Sequence, residues 1–341
     1  MLQARGPLVG PWLSRWGGER LFAEGASNNL KLMPGDAFVA EGYPEDQGRC
    51  AMAVKFRPLR ADEPGFAGEA SGVNIAAGVS TDVAAAIEAA MDRYAVLVIR
   101  DQKIDDDQQY AFSEHFGPME QATGDIQQAE LRRLSIKVND ISNLDQHGRV
   151  LADDDRRRQF GIGNMLWHSD SSFKAIPAKY SLLSARQIPD AGGNTEFADM
   201  RAAWDTLDAA TQAECKDLIC EHSQLYSRGL LGFSGWTEEE VEKNKPVSQP
   251  LVRCHPGSDR MTLYLSAHAG GIHGWSMPEA RMFLRDLNDH AVQRQFVYAH
   301  AWRPNDLVVW DNRAVMHRAR RFDNTQVRDL HRTTVSSAPR A

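Results

Sequence analysis

The feature that most constrains the fold is a series of short strand-like runs set apart from the helical segments. Runs rich in β-branched and aromatic residues occur at "MTLYLSA", "QFVYAHAW", "DLVVWDN" and "RDLHRTTVS". Helical periodicity occurs separately, in "ADMRAAWDTL", "AATQAECKDLICEH" and "PEARMFLRDLNDHA". Because βαβ units would alternate more regularly, this arrangement predicts a mainly β protein of the α+β class, an antiparallel sandwich or barrel with flanking helices.

The N-terminal region differs from the rest of the chain. Residues 1–51 hold 8 of the 26 glycines and 4 of the 15 prolines and show no sustained helical or strand period. At Met52 the pattern changes, because "MAVKFRPL" alternates apolar and polar residues as a strand does. We therefore expect residues 52–341 to form the folded domain and residues 1–51 to be an irregular extension outside it. The sequence leaves open whether the native protein contains that extension.

Four further segments can be assigned before the middle of the chain. Thr81 is expected to cap a helix over "DVAAAIEAAMDRY", and "AVLVIR" to form a buried strand. A second helix is expected from about Asp106 to Phe116. Residues 140–160, with "DDDRRR" and few apolar side chains, are expected to be a long surface loop, and a solvated charge run is favoured over a functional lid.

Charge and cysteine usage exclude several classes of protein. The formal net charge of -7 comes from mixed signs without a long basic run, which argues against a nucleic-acid partner. The four cysteines are too scattered for a disulfide framework or a CxxC metal site, so free thiols are expected. No apolar run approaches about 18 residues, so no membrane contact is expected. The expectation is a soluble cytoplasmic protein.

A candidate metal site lies in "NMLWHSDSSF", where His168 precedes Asp170 by two positions. On a strand these two side chains point to the same face while Ser169 points away. His317, in "VVWDNRAVMHRARR", follows a strong apolar strand and a "DNR" turn, from which a loop could return it to the same place. Two imidazoles and one carboxylate form the facial triad of non-haem Fe(II) oxygenases. A zinc hydrolase uses similar ligands and stays open as an alternative.

Three other residues are suited to binding an anionic co-substrate. Arg328 and Arg332, in "RDLHR", lie four apart on a predicted strand and therefore on one face. Two arginines that face inward would bind two anionic groups, because guanidinium pairs with carboxylates through two parallel hydrogen bonds. The alternative is a pair of surface arginines. Thr195, in "GGNTEFADM", follows a predicted tight turn and could offer a hydroxyl to a carboxylate.

Taken in order, "WHSDSSF", "GGNTEFADMRAAWDTL", "WDNRAVMHRARRFD" and "RDLHR" resemble the Fe(II)/2-oxoglutarate dioxygenases of the TauD/TfdA family, over about Met52 to Thr334. The branch that cleaves aryloxyalkanoates such as 2,4-dichlorophenoxyacetate is the most similar. The resemblance implies a double-stranded β-helix, or jelly roll, that uses Fe(II), 2-oxoglutarate and O2. It also implies ether cleavage to a phenol and glyoxylate, with succinate and CO2 as co-products, in a homo-oligomeric enzyme acting on a small anionic substrate.

The resemblance assigns roles to individual positions. The implied iron ligands and catalytic residues are His168, Asp170 and His317; the implied 2-oxoglutarate contacts are Thr195, Arg328 and Arg332; the implied substrate contacts are Asn164, Ser171 and Arg332.

Two questions stay open at the level of sequence. Close relatives oxidise taurine, other alkylsulfonates or alkyl sulfates, and the residues that separate these substrates lie in variable loops. His222, Tyr226 and His268 lie in segments that resemble those of the aryloxyalkanoate branch, yet spacing does not assign their roles. For His268 a structural hydrogen-bonding role is favoured over substrate contact.

Overall fold

The computed structural model of the chain describes residues 54–122 and 132–339. The expected extension at residues 1–51 lies outside these described residues, as does Cys50. Within the part that is described, no helix combines the length and the apolar character needed to cross a membrane.

The described part of the chain contains short strands, often several in a row, with helices between groups of strands. The strands are β1 (Lys55–Pro58), β2 (Gly68–Ser71), β3 (Val96–Ile99), β4 (Asn139–Asp140), β5 (Ala178–Gln187), β6 (Thr195–Asp199), β7 (Ile219–His222), β8 (Val247–Pro250), β9 (Val252–Cys254), β10 (Met261–Leu263), β11 (Ala269–Ile272), β12 (Val297–His300), β13 (Leu307–Asp311), β14 (Val315–Ala319) and β15 (Asp329–Ser336). The helices are α1 (Thr81–Tyr94), α2 (Asp106–Glu114), α3 (Arg156–Gly161), α4 (Met200–Asp205), α5 (Ala209–Cys215), α6 (Gln224–Gly229), α7 (Glu238–Lys243) and α8 (Met277–Ala291). Short 3₁₀ helices cover Ile75–Ala77, Ile162–Met165 and Arg294–Phe296.

The strands form one large sheet and three smaller ones. The large sheet has the order β1-β2-β3-β13-β5-β15-β4, and the smaller sheets are β12-β6-β14, β11-β7-β8 and β10-β9. Among the described pairs β2 and β3 are parallel, and the others are antiparallel. Long crossovers between sequence-distant strands are typical of a jelly roll. The expected fold class is confirmed.

The central strands of the large sheet are buried on both faces. Val308 and Trp310 of β13 pack towards Phe197 of the β12-β6-β14 sheet, and the Phe197 and Trp310 ring centroids lie 5.5 Å apart. Leu307 and Val309 point the other way, into a cluster with the apolar faces of α1 and α2. This period of two places alternate residues in two different cores. These central strands therefore cannot shift register without exposing apolar side chains.

Several predicted boundaries are corrected by the structure. Ser80 caps α1 through a hydrogen bond from Val83 N to Ser80 Oγ, so Thr81 is the first helical residue rather than the cap. The helix predicted over "AATQAECKDLICEH" ends at Cys215, because "ICEH" pairs with β8 and β11 as a buried strand. Tertiary pairing overrides local helix propensity there.

Residues 140–160, which were predicted to be a long surface loop, contain the start of a helix. Asp155 caps α3, which begins at Arg156 inside the expected loop. Arg157 donates to Asp155 at 2.7 Å, and Arg158 forms an ion pair with Asp153. The charges of "DDDRRR" thus pair with one another across a helix start, which a count of charged residues could not reveal.

Candidate metal centre and adjoining cavity

The structure brings His168, Asp170 and His317 together in the interior. One ligand atom from each lies within 4.8 Å of the others, and all three side chains are buried. His168 Nε2 is 3.9 Å from Asp170 Oδ1, and His317 Nε2 is 3.7 Å from Asp170 Oδ2. The three donor atoms converge on one point but are too far apart to hydrogen-bond with one another. This is the spacing that a bound cation requires. The sequence-predicted cluster is therefore assembled by the fold.

The backbone that positions the triad differs from the predicted single strand. His168 and His317 form an isolated antiparallel bridge, with N–H···O distances of 3.0 and 2.8 Å. His317 lies within β14 rather than in a loop after it, opposite Phe197 of β6. Asp170 begins a tight turn, and Ser171 adopts a positive φ of 55°. Ser169 donates from Oγ to Val315 O, so it points away from the site as expected.

The two imidazoles are suited to binding a divalent cation. His168 Nδ1 is 2.7 Å from the Leu166 carbonyl, which fixes the proton on Nδ1 and leaves Nε2 with its lone pair. Burial lowers the pKa of His168 and of His317, so both rings are neutral at neutral pH. The His317 ring is held between Phe197 and Trp310, at centroid distances of 6.1 and 4.6 Å. Two neutral nitrogens and one carboxylate fit Fe(II), Zn(II) or Mn(II) by donor type.

The Asp170 carboxylate stays ionised despite its burial. Burial would raise the pKa of Asp170, but the charge of Arg332 and a hydrogen bond from Ser181 hold it well below its ordinary value. Asp170 Oδ2 accepts a hydrogen bond from Ser181 Oγ at 2.7 Å, and Asn312 Oδ1 accepts one from Asp170 N at 3.0 Å. These contacts set the orientation of the carboxylate. The fit to a cation therefore rests on a preformed, charged donor set.

The structure places Arg332 against the metal-ligand candidate rather than free in the cavity. Its Nη1 donates to Asp170 Oδ1. Arg332 lies on β15 opposite Leu183 of β5, at the rim of the cavity. An anionic ligand near Asp170 would compete for the same guanidinium.

Arg328 and Thr195 approach each other through the turn before β6. Arg328 is buried, donates to Gly193 O at 3.3 Å, and has a pKa lowered to about 10 by burial. Thr195 begins β6 two residues later, and its Oγ1 accepts a hydrogen bond from Trp302 Nε1 at 3.0 Å. Arg328 lines the cavity, whereas Thr195 is not among its lining residues. Arg328 is thus the member of this pair that faces the cavity.

A cavity of about 650 Å³ opens beside the triad. His168, Asp170, Arg328 and Arg332 line it at one side. The remaining wall is mixed apolar and polar, and includes Phe160, Ile162, Asn164, Ser171, Phe173, Gln224, Arg228 and His268. This volume is typical of sites that enclose small organic ligands.

Like Arg332, the other two predicted substrate contacts, Asn164 and Ser171, line this cavity. Asn164 belongs to the 3₁₀ helix Ile162–Met165. Ser171 donates from Oγ to Glu120 Oε2 at 2.8 Å, and the same oxygen accepts from Lys174 Nζ at 2.7 Å. Ser171 is therefore already engaged by a carboxylate, while Asn164 is available to a ligand.

Sequence reasoning missed Arg228, Phe160 and Phe173. Arg228 lies in "EHSQLYSRGLLGF", the segment that also holds His222 and Tyr226, but no sequence signal distinguishes a buried arginine from an exposed one. Phe160 ends the charged stretch that was expected to be solvated. His268 makes a structural hydrogen-bonding contact, since its Nδ1 lies 2.8 Å from Ser227 Oγ, and its ring also lines the cavity.

His222 and Tyr226 do not line the cavity among the described residues. His222 is fully buried in β7, and its ring stacks on Tyr264 at 5.7 Å. The Tyr226 ring packs closely over Gly270 and contacts Arg281. The geometry gives both residues packing contacts.

Comparisons with known proteins agree on one family. The model of the family described as "Taurine catabolism dioxygenase TauD, TfdA family" matches residues 55–334. The chain is 43% identical to the alpha-ketoglutarate-dependent 2,4-dichlorophenoxyacetate dioxygenase of Cupriavidus pinatubonensis, over 83% of this chain and 98% of the relative. It is 36% identical to the (S)-phenoxypropionate/alpha-ketoglutarate-dioxygenase of Sphingobium herbicidovorans, over 74% and 86%. The crystal structure of AAD-2 with Mn(II) and N-oxalylglycine superposes with a TM-score of 0.80 at 52% identity, covering 84% of this chain and 99% of that one.

Proposed function

The chain belongs to the taurine catabolism dioxygenase TauD, TfdA family, and from that premise we propose that it cleaves the ether bond of an aryloxyalkanoate such as 2,4-dichlorophenoxyacetate. It is an oxidoreductase that uses Fe(II), 2-oxoglutarate and O2. The substrate proposal rests on the cavity beside the triad. Its wall contains the aromatic side chains of Phe160 and Phe173 and the buried cations Arg228 and Arg328. The identity to 2,4-dichlorophenoxyacetate and phenoxypropionate dioxygenases supports it.

In this proposal His168, Asp170 and His317 hold the metal and are the catalytic residues. Their support is the convergence of three buried donors and the neutral state of both imidazoles. Bound Fe(II), with 2-oxoglutarate and O2, supplies the oxidising chemistry that hydroxylates the substrate carbon. The same donors would also bind zinc, but a zinc hydrolase does not belong to this dioxygenase family and needs no second anion site.

Arg328 is proposed to bind the distal carboxylate of 2-oxoglutarate, with Thr195 as a second contact. Arg328 is buried without a carboxylate partner among the described residues, which favours an anionic ligand beside it. Thr195 can contribute if its hydroxyl keeps accepting from Trp302 and turns its proton towards the ligand. Arg332 is proposed to contact the co-substrate and the acidic group of the substrate from its place beside Asp170.

Asn164 and Ser171 are proposed to contact the substrate from their places in the cavity wall. Phe160 and Phe173 give that wall the apolar surface that an aryl ring needs. With the ring held there, the carbon between the ether oxygen and the carboxylate can face the triad, which orients it for reaction. Hydroxylation of that carbon gives a hemiacetal, which collapses to a phenol and glyoxylate, while 2-oxoglutarate becomes succinate and CO2.

The test is a comparison of substrates with the purified enzyme. We expect Fe(II)- and 2-oxoglutarate-dependent release of 2,4-dichlorophenol from 2,4-dichlorophenoxyacetate, matched by an equal amount of succinate. Taurine and an alkyl sulfate serve as the competing acids. Turnover of either of them, with no phenol released, would replace the aryloxyalkanoate proposal.

Three broader expectations stay proposals. The dioxygenase domain is assigned to residues 52–341, which is supported by the family match over 55–334. A homo-oligomer is proposed because enzymes of this family commonly form one, and sedimentation velocity would test it. A cytoplasmic location is supported by the free thiols of Cys215, Cys220 and Cys254, and cell fractionation would test that location.

A further inference from the structure

Two of the three buried arginines in the described chain lack a carboxylate partner. Arg201 pairs with Asp199 at 2.9 Å. Arg228 and Arg328 line the cavity, and for both of them burial lowers the pKa to about 10, so they remain charged at neutral pH. An unpaired buried charge is costly to the fold. Two such charges in one cavity indicate that the cavity receives two anionic groups.

Arg228 is held rigidly at the cavity wall. Its side chain is 5% exposed, its Nη1 donates to Ser227 Oγ at 3.3 Å, and its Nε has no partner among the described residues. The Phe160 ring lies 4.4 Å from the guanidinium carbon. A Cβ at Gly163 would lie 2.2 Å from the same carbon, so only glycine allows this close approach of the backbone. The guanidinium is therefore preorganised while its charge stays unpaired.

Arg228 lies on the side of the cavity that adjoins the triad. It shares Ser227 Oγ with His268 Nδ1, and the His268 ring is 6.1 Å from the ring of His168. Two other cations that line the cavity are already paired, since Lys174 contacts Glu120 and Arg157 contacts Asp155, both at 2.7 Å. Phe173 packs on His268 at 4.9 Å, so apolar surface adjoins the free charge.

We propose that Arg228 is the counter-ion of the substrate's carboxylate and selects acids over neutral aryl ethers. This inference rests on the proposed function, in which Arg328 takes the distal carboxylate of 2-oxoglutarate. Arg228 then takes the second anion, and the aryl group lies along Phe160 and Phe173. A planar guanidinium favours the planar carboxylate through parallel hydrogen bonds. Arg228 is a substrate-binding residue that sets specificity.

The test compares an acid with its neutral analogue at equilibrium. Dissociation constants of phenoxyacetate and phenoxyacetamide are measured by anaerobic calorimetry, with Fe(II) and 2-oxoglutarate bound. In Arg228→Met we expect the affinity for phenoxyacetate to fall by roughly 100-fold, as for loss of one partner of a buried charge pair, and that for phenoxyacetamide to change by less than about threefold. Arg157→Met is the matched control, because Arg157 lines the same cavity but is paired to Asp155; it should leave both affinities unchanged.

The outcomes separate this inference from the function on which it rests. Phenoxyacetate turnover by the wild type, with equal loss of acid and amide affinity in Arg228→Met or no loss at all, would overturn the role of Arg228 alone. Absence of any aryloxyalkanoate turnover by the wild type would overturn the proposed function and this inference together. If Arg228→Met does not fold, Arg228→Lys decides, because a retained charge should preserve a preference for the acid, and loss of that preference with amide binding intact would contradict a charge-based role.

Discussion

At the scale of single residues, Asp170 combines three tasks. Its carboxylate faces both candidate imidazole ligands, accepts from Ser181 and pairs with Arg332. Removing this buried carboxylate would leave the partly buried Arg332 beside two histidines without a compensating charge, which destabilises the site. The metal centre and the anion-binding wall are therefore coupled through one side chain.

A second residue-scale feature is an ionic network on the other side of β15. Burial would lower the pKa of His331, but hydrogen bonds with Asp106 and Asp329, at 2.5 Å and 3.2 Å, raise it. Burial would raise the pKa of Asp329, but hydrogen bonds from His331 and Arg133 lower it to about 2. The stability contributed by Asp329 is present above its ordinary pKa and is lost as the pH falls through about 2.

The contribution of His331 has the opposite dependence on pH. It is fully present below the unfolded-chain pKa of about 6.5 and is lost as the pH rises through the raised folded value. We expect the free energy of unfolding in urea to fall above about pH 6.5, by at most about 1.4 kcal/mol per pH unit from this group. His331→Gln should remove that slope, whereas His147→Gln, at an exposed position, should keep it. Equal slopes in all three proteins would contradict this account.

At the scale of elements, the turn before β6 connects the co-substrate wall to the sheet. Gly192 and Gly193 have positive φ angles of 78° and 68°, and Gly193 O accepts from Arg328. Gly192 also bridges Phe322 of the segment after β14. A Cβ at Gly192 would lie 2.6 Å from the Arg321 carbonyl oxygen, and only backbone movement could relieve that contact.

Gly192→Ala should therefore weaken both stability and co-substrate binding. We expect a loss of more than about 2 kcal/mol in the free energy of unfolding, because a steric clash adds to the left-handed backbone penalty of about 1–2 kcal/mol. The KM for 2-oxoglutarate should rise, since the turn carries the carbonyl that holds Arg328. Gly78→Ala is the control, with φ of 80° and no atom near the added Cβ. An unchanged KM for 2-oxoglutarate in Gly192→Ala would contradict a link between the turn and co-substrate binding.

The sequence allowed much of the fold and site to be predicted, for reasons that differ by feature. The strands at 307–311 and 329–336 can be predicted from sequence, because buried strands are rich in β-branched and aromatic residues and bounded by turn residues. His168, Asp170 and His317 were predicted because ligand types and family motifs mark them. "ICEH" was mistaken for helix because its strand partners are distant in sequence. Arg228 was missed because burial without a counter-charge is a property of the folded chain.

At the scale of the whole molecule, two sheets support the metal centre. β5, β13 and β15 carry Ser181, the Asn312 turn and Arg332, and the β12-β6-β14 sheet carries His317. Because the family match begins at residue 55, a protein that starts at Met52 should keep its turnover rate and its thermal unfolding midpoint. Kinetic and calorimetric comparison with the full chain is the measurement. A loss of turnover or folding in the shorter protein would show that residues 1–51 belong to the enzyme.

The central claim is that the buried triad holds Fe(II) together with 2-oxoglutarate. Its most direct test is an anaerobic titration of metal-free protein with Fe(II) and 2-oxoglutarate, followed by visible absorbance. The account predicts a weak charge-transfer band that saturates at one equivalent of metal in the wild type and is absent in Asp170→Asn. A wild-type protein that develops no band, or an Asp170→Asn protein with the same band as the wild type, would contradict it.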